Sequence, residues 1–322
     1  MDSQTRIYVN VFNKGTVSLF GTVLLFLFLL PYVITSLFGN INHPDINSMV
    51  NIMSSSDRIY IENVTEIGRE RIPLDIYLLD KLARTINADY HIETLKAQAV
   101  LLRTALIEEL WQSSGSIHGI VETHDPDYSR GVINENVIIA VTSTQGIILT
   151  YEDKVAKVAY FAVSNGRTRD GSEAFGQEDL PYFKAVDCPR DFLAENFTSQ
   201  KTMGKNEFLS ALYHATGITL SNDFTINDIK IKRDLSNYIM DLTINNGLET
   251  ISLSGEESRF IWGLSSSCFS IDEIKNRIVF SVRGVGHGFG MSQFGANEMA
   301  KNDHDYVSIL EYFFSGAKLA KF

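Results

Sequence analysis

The amino-acid sequence predicts an α+β protein with a single-pass N-terminal transmembrane helix, followed by one mixed helix and antiparallel-sheet extracytoplasmic domain. Three observations favour this class. Residues 16–39 form an uncharged apolar stretch, residues 73–111 carry apolar side chains at helical spacing, and short alternating segments joined by turns recur in the C-terminal half. Helices and hairpins that occupy separate stretches of a chain are typical of the α+β class.

The apolar stretch has the length and flanking charges of a membrane span. A helix of about 20 residues crosses the hydrocarbon core, and the stretch is too long for the apolar region of a cleaved signal peptide. Arg6 and Lys14 precede it, whereas no Lys or Arg occurs from residue 15 to residue 56. Because basic residues favour the cytoplasmic side, we predict cytoplasmic residues 1–15, a transmembrane helix over 16–39, a polar tether over 40–56 and an extracytoplasmic domain over 57–322.

The remaining pattern predicts alternating helices and strands. Pro73 opens a helix that runs to residue 86, since proline is favoured in the first helical turn. A second helix covers residues 91–111, and a short helix over 205–216 lies in a small insert at about 200–255. Strands are predicted over 58–63, 64–67, 146–151, 155–163, 225–233, 237–245, 249–254 and 277–285, and further helices over 256–263, 295–301 and 306–314.

The charge balance excludes one class of partner. The chain has 322 residues, with 28 basic and 39 acidic side chains and a net charge of −11. Contacts to the phosphate backbone dominate nucleic-acid affinity and require a basic surface. We therefore expect no nucleic-acid partner.

Three segments of the domain resemble one protein family. Residues 72–106 (IPLDIYLLDKLARTINADYHIETLKAQAVLLRTAL) resemble Y-L-x-G-V-V-x-x-E-M-P followed by E-A-L-K-A-Q-A-V-A-A-R-T. Residues 156–191 are similar to Y-x-S-x-S-G-G-x-T and Y-L-x-x-V-x-x-P-x-D, with departures at Asn165 and Arg167, and RGVGHGFGMSQFGA at 283–296 matches R-G-x-G-H-G-x-G-M-S-Q-x-G-A. On these motifs the chain is identified as a member of the stage II sporulation protein D and amidase-enhancer family.

The resemblance implies a peptidoglycan lytic transglycosylase, in which one glutamate protonates the glycosidic bond and deprotonates the muramic 6-hydroxyl. Carried over without gaps, the motif puts that glutamate at Thr85, with Ile86 and Asn87 in place of Met and Pro. A threonine hydroxyl cannot act as the general acid, because its pKa is far above the working pH. Glu93 and Glu173 are the candidate substitute acids, although Glu93 has a purely structural alternative at a helix N-terminus.

The same resemblance gives candidate residues for glycan binding. Glycines alternate around His287, and their backbone N–H groups could grip sugar hydroxyls, or else the segment is a tightly packed structural turn. Lys96 and Arg103 share a helix face and either line the glycan cleft or form ion pairs within the fold. The candidate substrate-binding residues are Lys96, Gln98, Arg103, Ser164, Asn165, Thr168, His287, Ser292 and Gln293.

The cysteines and histidines are the candidate residues for a cross-link or a metal site. Cys188 and Cys268 are the two cysteines of the chain, and they form either a disulfide or two separate buried thiols. Some relatives bind zinc in the loop that corresponds to residues 113–131, which here holds His118 and His124 but no cysteine. Structural zinc favours thiolate ligands, so we expect no metal and no cofactor.

Three functional hypotheses remain open. The first is a membrane-anchored, non-catalytic protein of sporulation and engulfment that binds peptidoglycan glycan strands. The second is an active lytic transglycosylase with a displaced acid, and the third is a structural cell-surface module. The expected location is the cell membrane. The expected partners are glycan strands, the membrane and, as the resemblance implies, a cell-wall amidase and a membrane scaffold protein of sporulation.

Overall fold

The computed structural model describes residues 7–8, 59–65, 68–114, 119–123, 133–172, 180–220, 224–245 and 250–321. The chain divides into two compact units. The first comprises Met1–Lys157 and Leu319–Phe322, and the second comprises Val158–Lys318. Each unit combines helices with β-sheet.

The predicted single-pass membrane architecture requires correction, and with it the predicted location in the cell membrane. Among the described residues, no helix is both long enough and apolar enough to cross a bilayer. The described helices of both units carry polar as well as apolar side chains. Residues 16–39, on which the prediction rested, lie outside the described residues.

In the described part of the first unit, the helices are α1 (Leu74–Thr85), α2 (Ile92–Ser114) and α3 (Glu135–Ser143). The strands are β1 (Ile7–Tyr8), β2 (Ile59–Thr65), β3 (Gly68–Pro73), β4 (Gly119–Thr123), β5 (Ile147–Tyr151), β6 (Lys154–Val155) and β15 (Lys318–Lys321). A four-stranded sheet has the order β1-β4-β2-β3, and a three-stranded sheet has the order β15-β5-β6.

The helices of the first unit pack through continuous apolar faces. Helix α1 buries Leu74, Tyr77, Leu78 and Leu82, which recur at the three- and four-residue spacing of one helical face. Helix α2 buries apolar side chains on several sides, as expected for a helix enclosed by other elements. Helix α3 begins at Asn134, whose side chain accepts a hydrogen bond from the Val137 N–H at 3.0 Å and caps the first turn.

The second unit contains helices α4 (Lys205–Thr216), α5 (Gly255–Ile261), α6 (Gln293–Ala300) and α7 (Tyr306–Phe313). Two three-stranded antiparallel sheets have the orders β11-β10-β9 and β12-β13-β8, and β7 pairs with β14 in parallel. The strands are β7 (Tyr160–Phe161), β8 (Thr198–Gly204), β9 (Ile229–Arg233), β10 (Ile239–Asn245), β11 (Thr250–Ser254), β12 (Phe269–Ile274), β13 (Arg277–Arg283) and β14 (Met291–Ser292).

An aromatic core holds the two three-stranded sheets and helices α4 and α5 together. The ring of Phe208 stacks on Trp262 with centroids 4.7 Å apart, and Phe280 packs against both. The buried cluster extends from Met203 to Val282, and so continues past residue 255, where the predicted insert ends. This part of the second unit therefore has its own hydrophobic core.

Candidate functional site

Thr85, where the motif resemblance predicts the family glutamate, is the last residue of α1. Its hydroxyl donates to the main-chain carbonyls of Lys81 at 2.8 Å and Leu82 at 3.3 Å, within its own helix. A hydroxyl that bonds back to the preceding turn is directed along the helix surface. The side chain is half-buried.

The carboxylates close to Thr85 in sequence are engaged in ion pairs or exposed. Asp80 pairs with Arg84 of the same helix at 2.7 Å, and Glu93 pairs with Lys96 at 2.6 Å in the first turns of α2. Asp89 lies exposed in the turn between α1 and α2. Glu173, the other candidate acid, lies outside the described residues, as do His118 and His124 of the loop weighed for zinc.

The basic residues of α2 both take part in ion pairs within the fold. Lys96 contacts Glu93, as described, whereas Arg103 is fully buried. The Arg103 guanidinium donates to Asp75 Oδ1 at 3.3 Å and to the carbonyls of Thr144 at 2.8 Å, Val141 at 3.2 Å and Ile147 at 3.3 Å. Arg103 thereby joins α1, α2 and the segment from α3 to β5. Gln98 is also fully buried.

In the second unit, a buried carboxylate joins two of the family motifs. Asp191 Oδ2 accepts the Ser164 N–H at 2.7 Å and the Ser292 hydroxyl at 2.6 Å. Ser292 also caps α6, because its hydroxyl accepts the Gly295 N–H at 3.2 Å. Ser164 and Ser292 are therefore framework residues that hold the S-N-G-R-T and M-S-Q segments side by side.

Asp191 is a buried acid whose surroundings oppose its ionisation. It is fully buried, and its Oδ1 atom has no hydrogen-bond partner among the described residues. Burial raises the pKa of Asp191, while hydrogen bonds from Ser292 and Ser164 oppose the rise and the negative charge of Glu298 adds to it. Gly295 admits this carboxylate, since a Cβ there would stand 2.9 Å from Oδ1. The sequence interpretation missed Asp191, although it ends the matched P-x-D motif.

Asn165 and Thr168 are occupied by contacts to their own loop and its neighbours. The Asn165 amide donates to the Ser236 carbonyl at 2.6 Å and to Cys268 Sγ at 3.2 Å, and its main-chain N–H donates to the Tyr238 hydroxyl at 3.2 Å. The Thr168 hydroxyl accepts the Val186 N–H at 2.9 Å. Thr168 is buried, and Asn165 is half-buried.

The glycine-rich segment is a compact turn built around His287. The imidazole Nδ1 accepts the Phe289 N–H at 3.1 Å, and the ring packs between Phe161 and Phe289 at centroid distances of 5.6 and 5.9 Å. Burial lowers the pKa of His287, so the ring is neutral near pH 7. Gln293 is buried at the start of α6. The segment is a compact turn with His287 half-buried, and contact of His287 with a sugar stays a prediction.

The two cysteines are free thiols, and no disulfide joins them. Both are buried. Burial raises the pKa of Cys188 and of Cys268, which keeps both thiols protonated at neutral pH. Among the described residues, no group of three or more His, Cys, Asp or Glu side chains is arranged to hold a metal ion.

Comparison with known proteins agrees with the three motifs. The family model described as Stage II sporulation protein (SpoIID) matches residues 62–151, a range that includes Thr85. The stage II sporulation protein D of Bacillus subtilis (strain 168) is 29% identical over 269 residues, which cover 78% of this chain and 76% of that protein.

Two further relatives support the same assignment. The stage II sporulation protein D of Bacillus amyloliquefaciens is 28% identical over 271 residues, covering 78% of this chain and 75% of that protein. The amidase enhancer of Bacillus subtilis (strain 168) is 24% identical over 286 residues, covering 73% of this chain and 39% of that protein. The motifs, the family model over residues 62–151 and these relatives together support assignment of the chain to the stage II sporulation protein D (SpoIID) family.

Proposed function

We propose that the chain acts on the cell wall during sporulation, where it binds peptidoglycan glycan strands and cleaves them weakly or not at all. The sporulation and cell-wall role follows from the family and from the relatives named above. Binding without efficient cleavage is the finer part of the proposal, and it depends on the chemistry available at one position.

The observation that carries the proposal is the side chain at position 85. Cleavage of a glycosidic bond requires a proton for the leaving oxygen, and a carboxylic acid commonly supplies it. The Thr85 hydroxyl is far too weak an acid to supply this proton. It donates hydrogen bonds to main-chain carbonyls of its own helix. The neighbouring Asp80 and Glu93 are held in ion pairs with Arg84 and Lys96.

Retention of glycan binding is supported by the ordered motif segments of the second unit. The motif residues Ser164, Ser292 and Asp191 form a hydrogen-bonded junction in the second unit, although the acid of the first unit is gone. The proposal therefore separates loss of the acid from loss of the binding surface.

Two assays on the same purified chain test the proposal. We expect the chain to sediment with insoluble peptidoglycan and to leave denuded glycan strands without anhydro-muramic ends, as detected by mass spectrometry. Anhydro-muropeptides that depend on Glu93 or Glu173, lost in Glu93→Gln or Glu173→Gln, would instead establish an active transglycosylase with a displaced acid. A chain that sediments no better than an unrelated acidic protein would overturn glycan binding.

A cell-wall amidase is the partner that this function would serve. The similarity to the amidase enhancer motivates this part of the proposal. We expect release of stem peptides by a purified sporulation amidase to increase when the chain is added to peptidoglycan sacculi. An unchanged release rate across a range of chain concentrations would exclude this partnership while leaving glycan binding intact.

A further inference from the structure

We propose that Gly166, Arg167, Asp187 and Tyr312 form a carbohydrate subsite on the surface of the second unit. In this subsite, here called the Tyr312 platform, the tyrosine ring lies under one sugar and the Arg167–Asp187 pair contacts its hydroxyls. The inference rests on the proposed glycan-binding function. It places part of that binding on four residues that are not among the substrate-binding candidates from the sequence.

The backbone beneath the platform is rigid. Arg167 and Asp187 face each other in an antiparallel bridge. The Cys188 N–H donates to the Gly166 carbonyl at 2.8 Å, and the Thr168 N–H donates to the Val186 carbonyl at 2.9 Å. These bonds flank the bridge on both sides, so the two surface residues keep one spacing.

Tyr312 is an exposed aromatic ring held at two points. Its hydroxyl donates to the Asp187 main-chain carbonyl at 2.7 Å, and its ring packs edge-on against Phe313 at 5.3 Å. The residue remains 39% exposed. Burial of the hydroxyl raises the pKa of Tyr312, so the group stays protonated and keeps this bond at neutral pH. A pre-ordered ring loses little conformational entropy when a ligand stacks on it.

The charged pair beside the ring is available to a ligand. The Arg167 guanidinium lies 3.1 Å from Asp187 Oδ1, and the two side chains are 48% and 69% exposed. Such an exposed pair contributes little to the free energy of unfolding. Replacing part of its contact by contacts to a ligand therefore costs little free energy. The carboxylate accepts hydrogen bonds from sugar hydroxyls, and the guanidinium donates hydrogen bonds to their oxygens. The pair therefore offers both an acceptor and a donor to a sugar.

The space above Gly166 completes the platform. Its φ is +111°, and a Cβ built there would meet nothing within 4 Å, so the loop leaves open room over the backbone. A pyranose has an apolar C–H face and an edge of hydroxyls, matching a ring beside a donor–acceptor pair. An anionic ligand is a poorer match, because Asp187 neutralises Arg167 and the whole chain carries a net charge of −11.

The test uses tetra-N-acetylchitotetraose as a soluble probe and insoluble peptidoglycan as the whole ligand. We expect Tyr312→Ala to weaken binding of the tetrasaccharide roughly fivefold or more, as for truncation of an aromatic anchor. Tyr312→Phe keeps the ring but loses the hydroxyl bond to the Asp187 carbonyl, so its affinity should fall between those of the wild type and Tyr312→Ala. Asp187→Asn should weaken binding without altering the fold. Tyr213→Ala is the matched control, because Tyr213 is an exposed tyrosine of helix α4 in the same unit.

The outcomes separate this inference from the proposed function. If the wild type sediments with peptidoglycan and both Tyr312→Ala and Asp187→Asn bind the probe and peptidoglycan equally well, the Tyr312 platform is not a subsite, although glycan binding stands. A wild type that fails to bind either ligand would overturn both proposals. Thermal unfolding of each variant identifies a folding defect, and Asp187→Asn decides the question if Tyr312→Ala does not fold.

Discussion

The Asp191 carboxylate and the Ser292 hydroxyl, 2.6 Å apart, connect two segments that are separated by 101 residues in the chain. The same carboxylate oxygen accepts the Ser164 N–H, so one buried acid orders both the loop after β7 and the start of α6. The other oxygen, Oδ1, is buried without a hydrogen-bond partner among the described residues. Among the described residues, both hydrogen bonds of the junction are therefore accepted by the single atom Oδ2.

Removal of this carboxylate should destabilise the chain strongly. Asp191→Ala leaves the Ser164 N–H and the Ser292 hydroxyl buried without their acceptor, so we expect a loss of about 2–4 kcal/mol in the free energy of unfolding. Asp191→Asn keeps the shape and one acceptor, and should lose less. Urea unfolding measures both. Equal, small losses in the two variants would show that the junction contributes little.

The stability supplied by Asp191 should also depend on pH. Burial raises its pKa in the folded chain above that in the unfolded chain, which is about 4. The part of its contribution that comes from protonation in the folded chain is complete below the unfolded pKa and is lost as the pH rises through the folded pKa. We expect the difference in unfolding free energy between wild type and Asp191→Asn to shrink over that window and then level off. A difference that grows with pH would contradict the raised pKa.

Arg103 should prove essential for folding and dispensable as a ligand contact. Arg103→Met keeps most of the side-chain volume but leaves Asp75 buried without its cation and several carbonyls without a donor. Such a change typically costs roughly 3–5 kcal/mol. Lys301→Ala is the control, because Lys301 also forms an ion pair, with Glu298 at 2.7 Å, but its side chain is 54% exposed. This variant should lose about 1 kcal/mol or less in the free energy of unfolding. Chemical denaturation compares the two.

A glutamate at position 85 tests whether the proposed loss of the acid is what limits catalysis. We expect Thr85→Glu to produce anhydro-muropeptides from denuded glycan strands, while Thr85→Gln, of the same size but without an acid, produces none. A negative charge at the last residue of α1 faces the negative end of the helix dipole, so the glutamate variant should lose about 0.3–1 kcal/mol in stability. Mass spectrometry of the products decides the result. A folded, strand-binding Thr85→Glu chain that yields no product would mean that the cleft has lost more than the acid.

Strong apolar periodicity made the long helices predictable. Helices predicted over 73–86 and 91–111 occur as Leu74–Thr85 and Ile92–Ser114. Strands without such periodicity were missed: β3 reads GRERIP and pairs with β2 through its backbone, and β8 buries Met203 while its first five residues are exposed. The strand predicted over 155–163 is divided, because Val155 pairs within one sheet and Tyr160 within another, on opposite sides of the unit boundary.

For the chemistry of the site, the sequence predicts a substitution of the family glutamate at Thr85, and this stays a prediction. It follows from the motif alone. The role of Asp191 does not, because a single aspartate in a polar loop is usually exposed and its partner Ser292 is distant in sequence. Conversely, Arg103 and Ser164 belong to the matched motifs but are buried framework residues in the structure. A match to a family motif therefore does not by itself tell whether a residue contacts a ligand or supports the fold.

Both cysteines should titrate as buried thiols. Native chain should react slowly with a thiol-specific alkylating reagent, since burial and raised pKa values keep Cys188 and Cys268 as protonated thiols. Unfolding in denaturant without a reductant should then expose two reactive groups. Intact mass spectrometry counts the added labels. A chain that acquires no label under these conditions, but two after reduction, would contain the disulfide that the structure lacks.

The parallel pairing of β7 with β14 should fail if Gly290 gains a side chain. At Gly290, φ is +72°, and a Cβ would stand 2.1 Å from the Ala159 carbonyl oxygen, a backbone atom that cannot move aside. Gly217 has nearly the same φ, +73°, but nothing lies within 4 Å of its Cβ position. Gly217→Ala therefore isolates the conformational cost, about 1–2 kcal/mol, whereas Gly290→Ala adds a steric cost that should bring the loss to about 3 kcal/mol or more. Urea unfolding of the two variants measures the difference, and equal losses would mean that the close approach of Gly290 to Ala159 does not limit the stability of this unit.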